Sequence, residues 1–106
     1  MKRVGFMLKV KKEMLTEYKE VHQNVWPEML EALRNAGWTN YSIFATEDGT
    51  LFGYVETEDF QKALSGMDGL EINAKWQAAM DKYFEQLEGK RPDEMMLELD
   101  EVFHLD

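Results

Sequence analysis

The chain contains no cysteine, which excludes disulfides, thiolate nucleophiles and thiolate metal ligands. No apolar run approaches the roughly 20 residues of a membrane helix. The opening Lys2-Arg3-Val4-Gly5-Phe6 lacks the apolar core of a signal peptide. A cytoplasmic protein with no membrane partner is expected. Basic residues are scarce as well: 12 Lys and Arg stand against 21 Asp and Glu, for a net charge of -9. That balance, with no Lys/Arg cluster, argues against a nucleic-acid backbone, an anionic membrane or a polyanionic substrate. There is no glycine-rich phosphate loop, no nucleophile elbow and no His-x-x-x-His pair. Only His22 and His104 are available as imidazoles, too few to define a metal site. A small neutral ligand fits what is left.

What is present suits one compact unit. With 106 residues, 44% of them hydrophobic, residues 1-106 are expected to form a single domain, small enough to gain from oligomerisation. Arg3 to Val10 alternates as a strand, with Val4, Phe6, Leu8 and Val10 on one face. From about Glu13 the period becomes helical, and Met14, Tyr18, Val21, His22 and Val25 form an apolar stripe. Met29, Leu30 and Leu33 carry a second helical piece that Gly37 should stop. Trp38 to Thr46 reads as a strand with Tyr41, Ile43 and Ala45 on one face. Asp48-Gly49 is a hairpin turn, so Thr50 to Glu56 should return antiparallel. Thr57 is the expected cap of a short helix through Leu64, followed by a loop between Gly66 and Gly69. A longer helix is expected over Leu70 to Leu87, with Ile72, Trp76, Ala79, Met80, Tyr83 and Leu87 as its stripe, and a last strand over Leu97 to Leu105.

The order β-α-β-β-α-β predicts an α+β, ferredoxin-like sandwich with helices on one face of a four-stranded sheet. The proposed strands carry large apolar groups on both faces, so the uncovered face needs a partner. Two such sheets packed face to face would make a homodimer.

The chemistry points to the stretch Tyr18 to Glu28. Tyr18 and His22 are four residues apart and share a helix face. Pro27 removes a backbone donor and pushes Trp26 out of the helical region, so the helix should break just past the histidine and open a pocket. The competing account is an amphipathic helix whose aromatic residues fill a core. Tyr18, His22, Tyr41, Trp76 and Tyr83 together suit a sugar: an aromatic face lies against the C–H face of a pyranose, while phenol and imidazole orient its hydroxyls.

The segment Tyr18-x-x-x-His22-x-x-x-Trp26-Pro27-Glu28, then Asn40-Tyr41-x-Ile43, Leu51-Phe52-Gly53, Trp76 and the ending Glu101-Val102-Phe103-His104-Leu105 resembles the L-rhamnose mutarotase family over nearly the whole chain. The resemblance implies a dimeric ferredoxin-like barrel and an isomerase that interconverts the α and β anomers of L-rhamnose without a cofactor. It also implies that His22 is the acid/base residue and that Tyr18 and Tyr41 bind the sugar. The family's paired tryptophans fall on Trp76 and Gln77, so the second substrate-binding position departs from the pattern. Two other classes compete with this reading. One is a small monooxygenase of the same barrel type acting on aromatic substrates or haem; the other is a non-catalytic dimeric binding protein.

Overall fold

The computed structural model describes residues 1-84 and 89-106. Its frame is a four-stranded antiparallel sheet of β1 (Lys2–Lys9), β2 (Thr39–Ala45), β3 (Thr50–Thr57) and β4 (Leu97–Leu99), ordered β2-β3-β1-β4. Among the described residues the α-helices are α1 (Leu15–Val21), α2 (Pro27–Asn35), α3 (Phe60–Met67) and α4 (Glu71–Met80). The expected α+β, ferredoxin-like order is the one observed. No helix among the described residues is long and apolar enough to cross a membrane.

The inner face of the sheet follows from alternation. Val4, Phe6, Leu8 and Val10 are all buried, as are Leu51 and Val55 opposite them. Gly53 pairs with Phe6, and a Cβ there would sit 2.2 Å from the Phe6 ring. The missing side chain is therefore the space in which that ring lies, stacked on Phe60 with centroids 5.9 Å apart. The hairpin turns where Asp48-Gly49 predicts. Gly49 has φ +95°, and its backbone runs so close to Val10 that a Cβ would come within 2.3 Å of the Val10 carbonyl oxygen, so both its conformation and its contact demand glycine.

The first helical region breaks where Pro27 requires. Between α1 and α2 a 3₁₀ turn, His22–Asn24, gives way to extended Val25 and Trp26, and Pro27 opens α2 as its first residue. Gly37, with φ +95°, follows the end of α2 as expected.

Five expectations need correction. The cap of α3 is Asp59, whose Oδ1 accepts from the Lys62 amide at 3.2 Å. Thr57 is the buried last residue of β3. Phe60, Ala63 and Met67 are the buried stripe, so the helix starts on the first residue of that stripe, directly after its cap. Gly66 belongs to α3 and not to a loop: a Cβ there would stand 3.0 Å from the Ala36 side chain, which marks close packing against the end of α2.

The long helix expected to Leu87 ends at Met80 and tightens into a 3₁₀ turn, Asp81–Tyr83. Phe84 is then extended and bridges Val10, while the Tyr83 carbonyl accepts from the Lys11 amide at 2.7 Å. Pairing with the end of β1 overrides the helical pattern, and Leu87 lies outside the described residues. Within α4, Trp76 and Met80 are buried as expected but Ala79 is exposed; Asn73 and Gln77 are buried instead.

The last strand is three residues long rather than nine, because β4 pairs only with Gly5, Phe6 and Met7. Beyond it the Arg3 guanidinium donates two hydrogen bonds to Glu101, at 3.0 and 3.1 Å, and the tail from Glu101 to Asp106 is exposed.

Candidate active site

A cavity of about 340 Å³ opens between the inner face of the sheet and the helices, joined to a smaller one of about 60 Å³ that reaches Tyr18. Pockets for small ligands fall in the range of about 300 to 1,000 Å³, so the space suits a compact molecule. His22, Tyr41, Trp76, Gln77 and Asp93 border both parts.

The break before Pro27 is what puts His22 on the wall. The residue ends α1, and its ring folds back so that Nδ1 lies 2.8 Å from the Tyr18 carbonyl oxygen. A carbonyl only accepts, so Nδ1 carries the hydrogen, and the neutral ring leaves the lone pair of Nε2 uncommitted. Among the described residues Nε2 has no hydrogen-bond partner. The imidazole lies against the Tyr18 ring, centroids 4.2 Å apart, and meets Trp76 edge-on at 5.5 Å. Burial lowers the pKa of His22 from its ordinary value, only partly opposed by the bond to the Tyr18 carbonyl.

Tyr18 and Tyr41 both have raised pKa values, with burial as the main cause. Their phenols therefore keep their protons throughout the neutral range and can donate to a bound hydroxyl. Among the described residues neither phenol has a hydrogen-bond partner. A fault in the pairing of β2 with β3 brings Tyr41 into the cavity. Thr39 stands opposite Glu56 but Ser42 opposite Tyr54, so β2 carries one extra residue, and Asn40 takes φ +46°. Without that bulge Tyr41 would share the outer face with Thr39. Asparagine is among the residues that best tolerate the left-handed region.

Trp76 forms one wall, braced by the ring of Trp26 set nearly perpendicular to it at 5.0 Å. Gln77 also borders the cavity, yet both ends of its amide are engaged: Nε2 donates to Asn73 Oδ1 at 3.1 Å, and Oε1 accepts from the Asp93 amide at 3.0 Å. Tyr83, grouped with the site by the sequence, borders neither part of the cavity. It is buried beneath Tyr18, with its hydroxyl donating to Glu17 at 2.6 Å. His104 lies on the exposed tail, 2.9 Å from Asp106.

Sequence reasoning passed over Asp93 and Asn73. Their signal was faint: Asn73 and Gln77 are four residues apart on α4, two polar groups on a helix face otherwise read as apolar.

A family model described as L-rhamnose mutarotase matches residues 3–105. The chain belongs to the L-rhamnose mutarotase family. Among its relatives, an L-rhamnose mutarotase of Oceanobacillus iheyensis is 39% identical and one of Bacillus subtilis 37% identical, each aligned over all of both chains. One from Listeria monocytogenes is 44% identical over 84% of each chain. The crystal structure of an L-rhamnose mutarotase from Formosa agariphila covers all of both chains with a TM-score of 0.81 at 29% identity. Mutarotases are isomerases. These relatives favour neither the monooxygenase reading nor the non-catalytic one.

Proposed function

We propose that the chain interconverts the α and β anomers of L-rhamnose by general acid/base catalysis at His22. The observation that carries this reading is the imidazole held on a cavity wall with Nδ1 tied to a carbonyl and Nε2 left open, in a chain of this family.

Mutarotation opens a hemiacetal and closes it on the other face. Neutral Nε2 takes the proton of the anomeric hydroxyl as the bond from the anomeric carbon to the ring oxygen breaks, and water at the open mouth supplies a proton to that oxygen. Rotation about the bond to the aldehyde carbon and the reverse transfers give the other anomer. Burial favours the neutral imidazole that this first step needs. The same burial makes the tyrosines poor acids, so Tyr18 and Tyr41 orient the sugar by donating to it. Trp76 offers an apolar face to the C–H side of the ring, and Gln77 completes that wall. A positioned acid/base group contributes about 10² to 10⁴-fold, enough for a reaction that already proceeds in water.

The active form in this reading is a homodimer joined through the outer faces of two sheets. Phe44 and Phe52 project from that face with 64% and 40% of their surface exposed, and a second copy would cover them. The test of the activity is anomeric exchange of L-rhamnose followed by NMR saturation transfer, which should exceed the buffer rate at micromolar protein. Exchange at the buffer rate would refute it.

A further inference from the structure

We propose that Asp93 is a direct sugar ligand, its Oδ1 accepting a hydrogen bond from a ring hydroxyl, and that Gln77 and Asn73 are the positioning residues that hold it at the cavity. The proposal rests on the mutarotase reading of the site.

Asp93 follows the 89–92 segment into the 3₁₀ turn Pro92–Met95, and its side chain is 12% exposed where it borders both parts of the cavity. Its two oxygens are treated unequally. Oδ2 accepts from Asn73 Nδ2 at 3.0 Å and from the Arg91 guanidinium at 3.4 Å. Oδ1 is buried and has no hydrogen-bond partner among the described residues. Arg91 Nε lies 3.2 Å from Oδ1, close enough to balance its charge but out of line for a hydrogen bond. Leaving a buried acceptor unmet costs about 1 to 3 kcal/mol, and more when it is charged, so an orphaned carboxylate oxygen on a residue that lines the cavity calls for a donor from the ligand.

The surrounding network holds that oxygen in place. The Met67 carbonyl at the end of α3 accepts from Asn73 Nδ2 at 3.1 Å. Asn73 Oδ1 accepts from Gln77, and Gln77 Oε1 accepts from the backbone amide of Asp93. Each amide group in the chain is used, and the open position is Oδ1. An indole at position 77 has no acceptor for the Asp93 amide. Gln77 is therefore a strut that presents a carboxylate rather than a stacking surface. The ligand chemistry this selects is a neutral ring bearing a hydroxyl directed at that wall.

The test is a set of binding titrations, read by intrinsic tryptophan fluorescence, with L-rhamnose and its monodeoxy analogues. In Asp93→Asn the amide oxygen stays with Asn73 and the amide nitrogen faces the cavity, so the acceptor is lost. Hydrogen bonds to charged groups contribute about 1.5 to 3 kcal/mol, so L-rhamnose affinity should fall about 10- to 100-fold. One deoxy analogue, lacking the hydroxyl that Asp93 receives, should bind wild type weakly and lose little more in the variant. Asp93→Glu, which keeps the charge but displaces it, should show the same selective loss of L-rhamnose affinity, and with it of the wild type's discrimination between L-rhamnose and that analogue, if the asparagine variant does not fold. Gln77→Met should erase that discrimination, and Gln77→Glu, which still accepts from the Asp93 amide, should restore it. Unchanged L-rhamnose affinity in Asp93→Asn, or an equal loss for every analogue, overturns the proposal while leaving wild-type catalysis standing. A wild type that neither binds L-rhamnose nor exchanges its anomers refutes the mutarotase reading and this proposal with it.

Discussion

The two faces of the sheet are built from the same alternation and end in opposite states. On the inner face Phe6, Leu51 and Val55 are buried under helices and a cavity opens at His22 and Tyr41; on the outer face Phe44 and Phe52 stand exposed, with Leu97 at the sheet edge exposed too. The outer face also carries polar contacts, Tyr54 to Glu56 at 2.6 Å and Asn40 to Glu56 at 3.1 Å. One face is finished by its own chain and holds the candidate site. The other presents apolar groups that a second copy would cover in the proposed dimer. Catalysis and association should therefore be separable by substitution.

The largest effect is expected on the inner face. His22→Asn keeps a hydrogen-bonding side chain but no group that exchanges protons near neutrality, so the anomeric exchange rate should drop about 10²-fold or more. Sedimentation of the variant should match wild type. Near-normal exchange by the folded variant would move the proton transfer to another group.

On the outer face, Phe44→Glu combined with Phe52→Glu would place like charges in the proposed interface, where unpaired buried charge costs several kcal/mol. Sedimentation at micromolar concentration should shift from dimer to monomer, with far-ultraviolet circular dichroism unchanged. A wild type that is already monomeric would break the contrast between the faces.

A smaller change tests the inner packing without touching the cavity. Gly53→Ala pushes a methyl group into the Phe6 ring, and overpacking of this kind costs about 1 to 3 kcal/mol. Denaturant unfolding should show that loss, and Phe6→Leu in the same chain should recover part of it.

The mildest effect is on pH. Because burial lowers the pKa of His22, the neutral ring should persist below the ordinary imidazole value of about 6.5, and exchange should decline only at more acid pH. The stability linked to this group is fully present above the unfolded value and is lost as pH falls through the folded one. Melting temperatures of wild type and His22→Asn should therefore diverge on the acid side and converge near neutrality.

Much of the fold was legible in sequence because it rested on short-range rules. The period of two in β1, the Asp48-Gly49 turn, the stop at Gly37 and the break at Pro27 each follow from backbone sterics or hydrophobic alternation. The misjudged elements were those whose ends depend on distant partners. The helix after Leu70 stops at Met80 because Tyr83 and Phe84 are taken up by Lys11 and Val10. The last strand shortens because β1 pairs with three of its residues. In the candidate site, Tyr18, His22, Tyr41, Trp76 and Gln77 were all named in advance and all border the cavity system. Tyr83 was assigned to it wrongly, since a helical stripe does not reveal which aromatic ring meets solvent space and which meets Glu17.

The sequence by itself determined the α+β order of elements, the acidic surface, and the pairing of Tyr18 with His22 on one turn of helix. These follow from local periodicity and the chemistry of the side chains. Only the tertiary structure decided which nitrogen of His22 is free, because that depends on the ring folding back to the Tyr18 carbonyl. It alone set Thr39 and Tyr41 on opposite faces, through a bulge that exists only in the pairing of β2 with β3. It alone brought Asp93 to the cavity beside Gln77, 16 residues away in the chain, since no local rule relates a carboxylate on a 3₁₀ turn to an amide on a helix until the backbone has folded to join them.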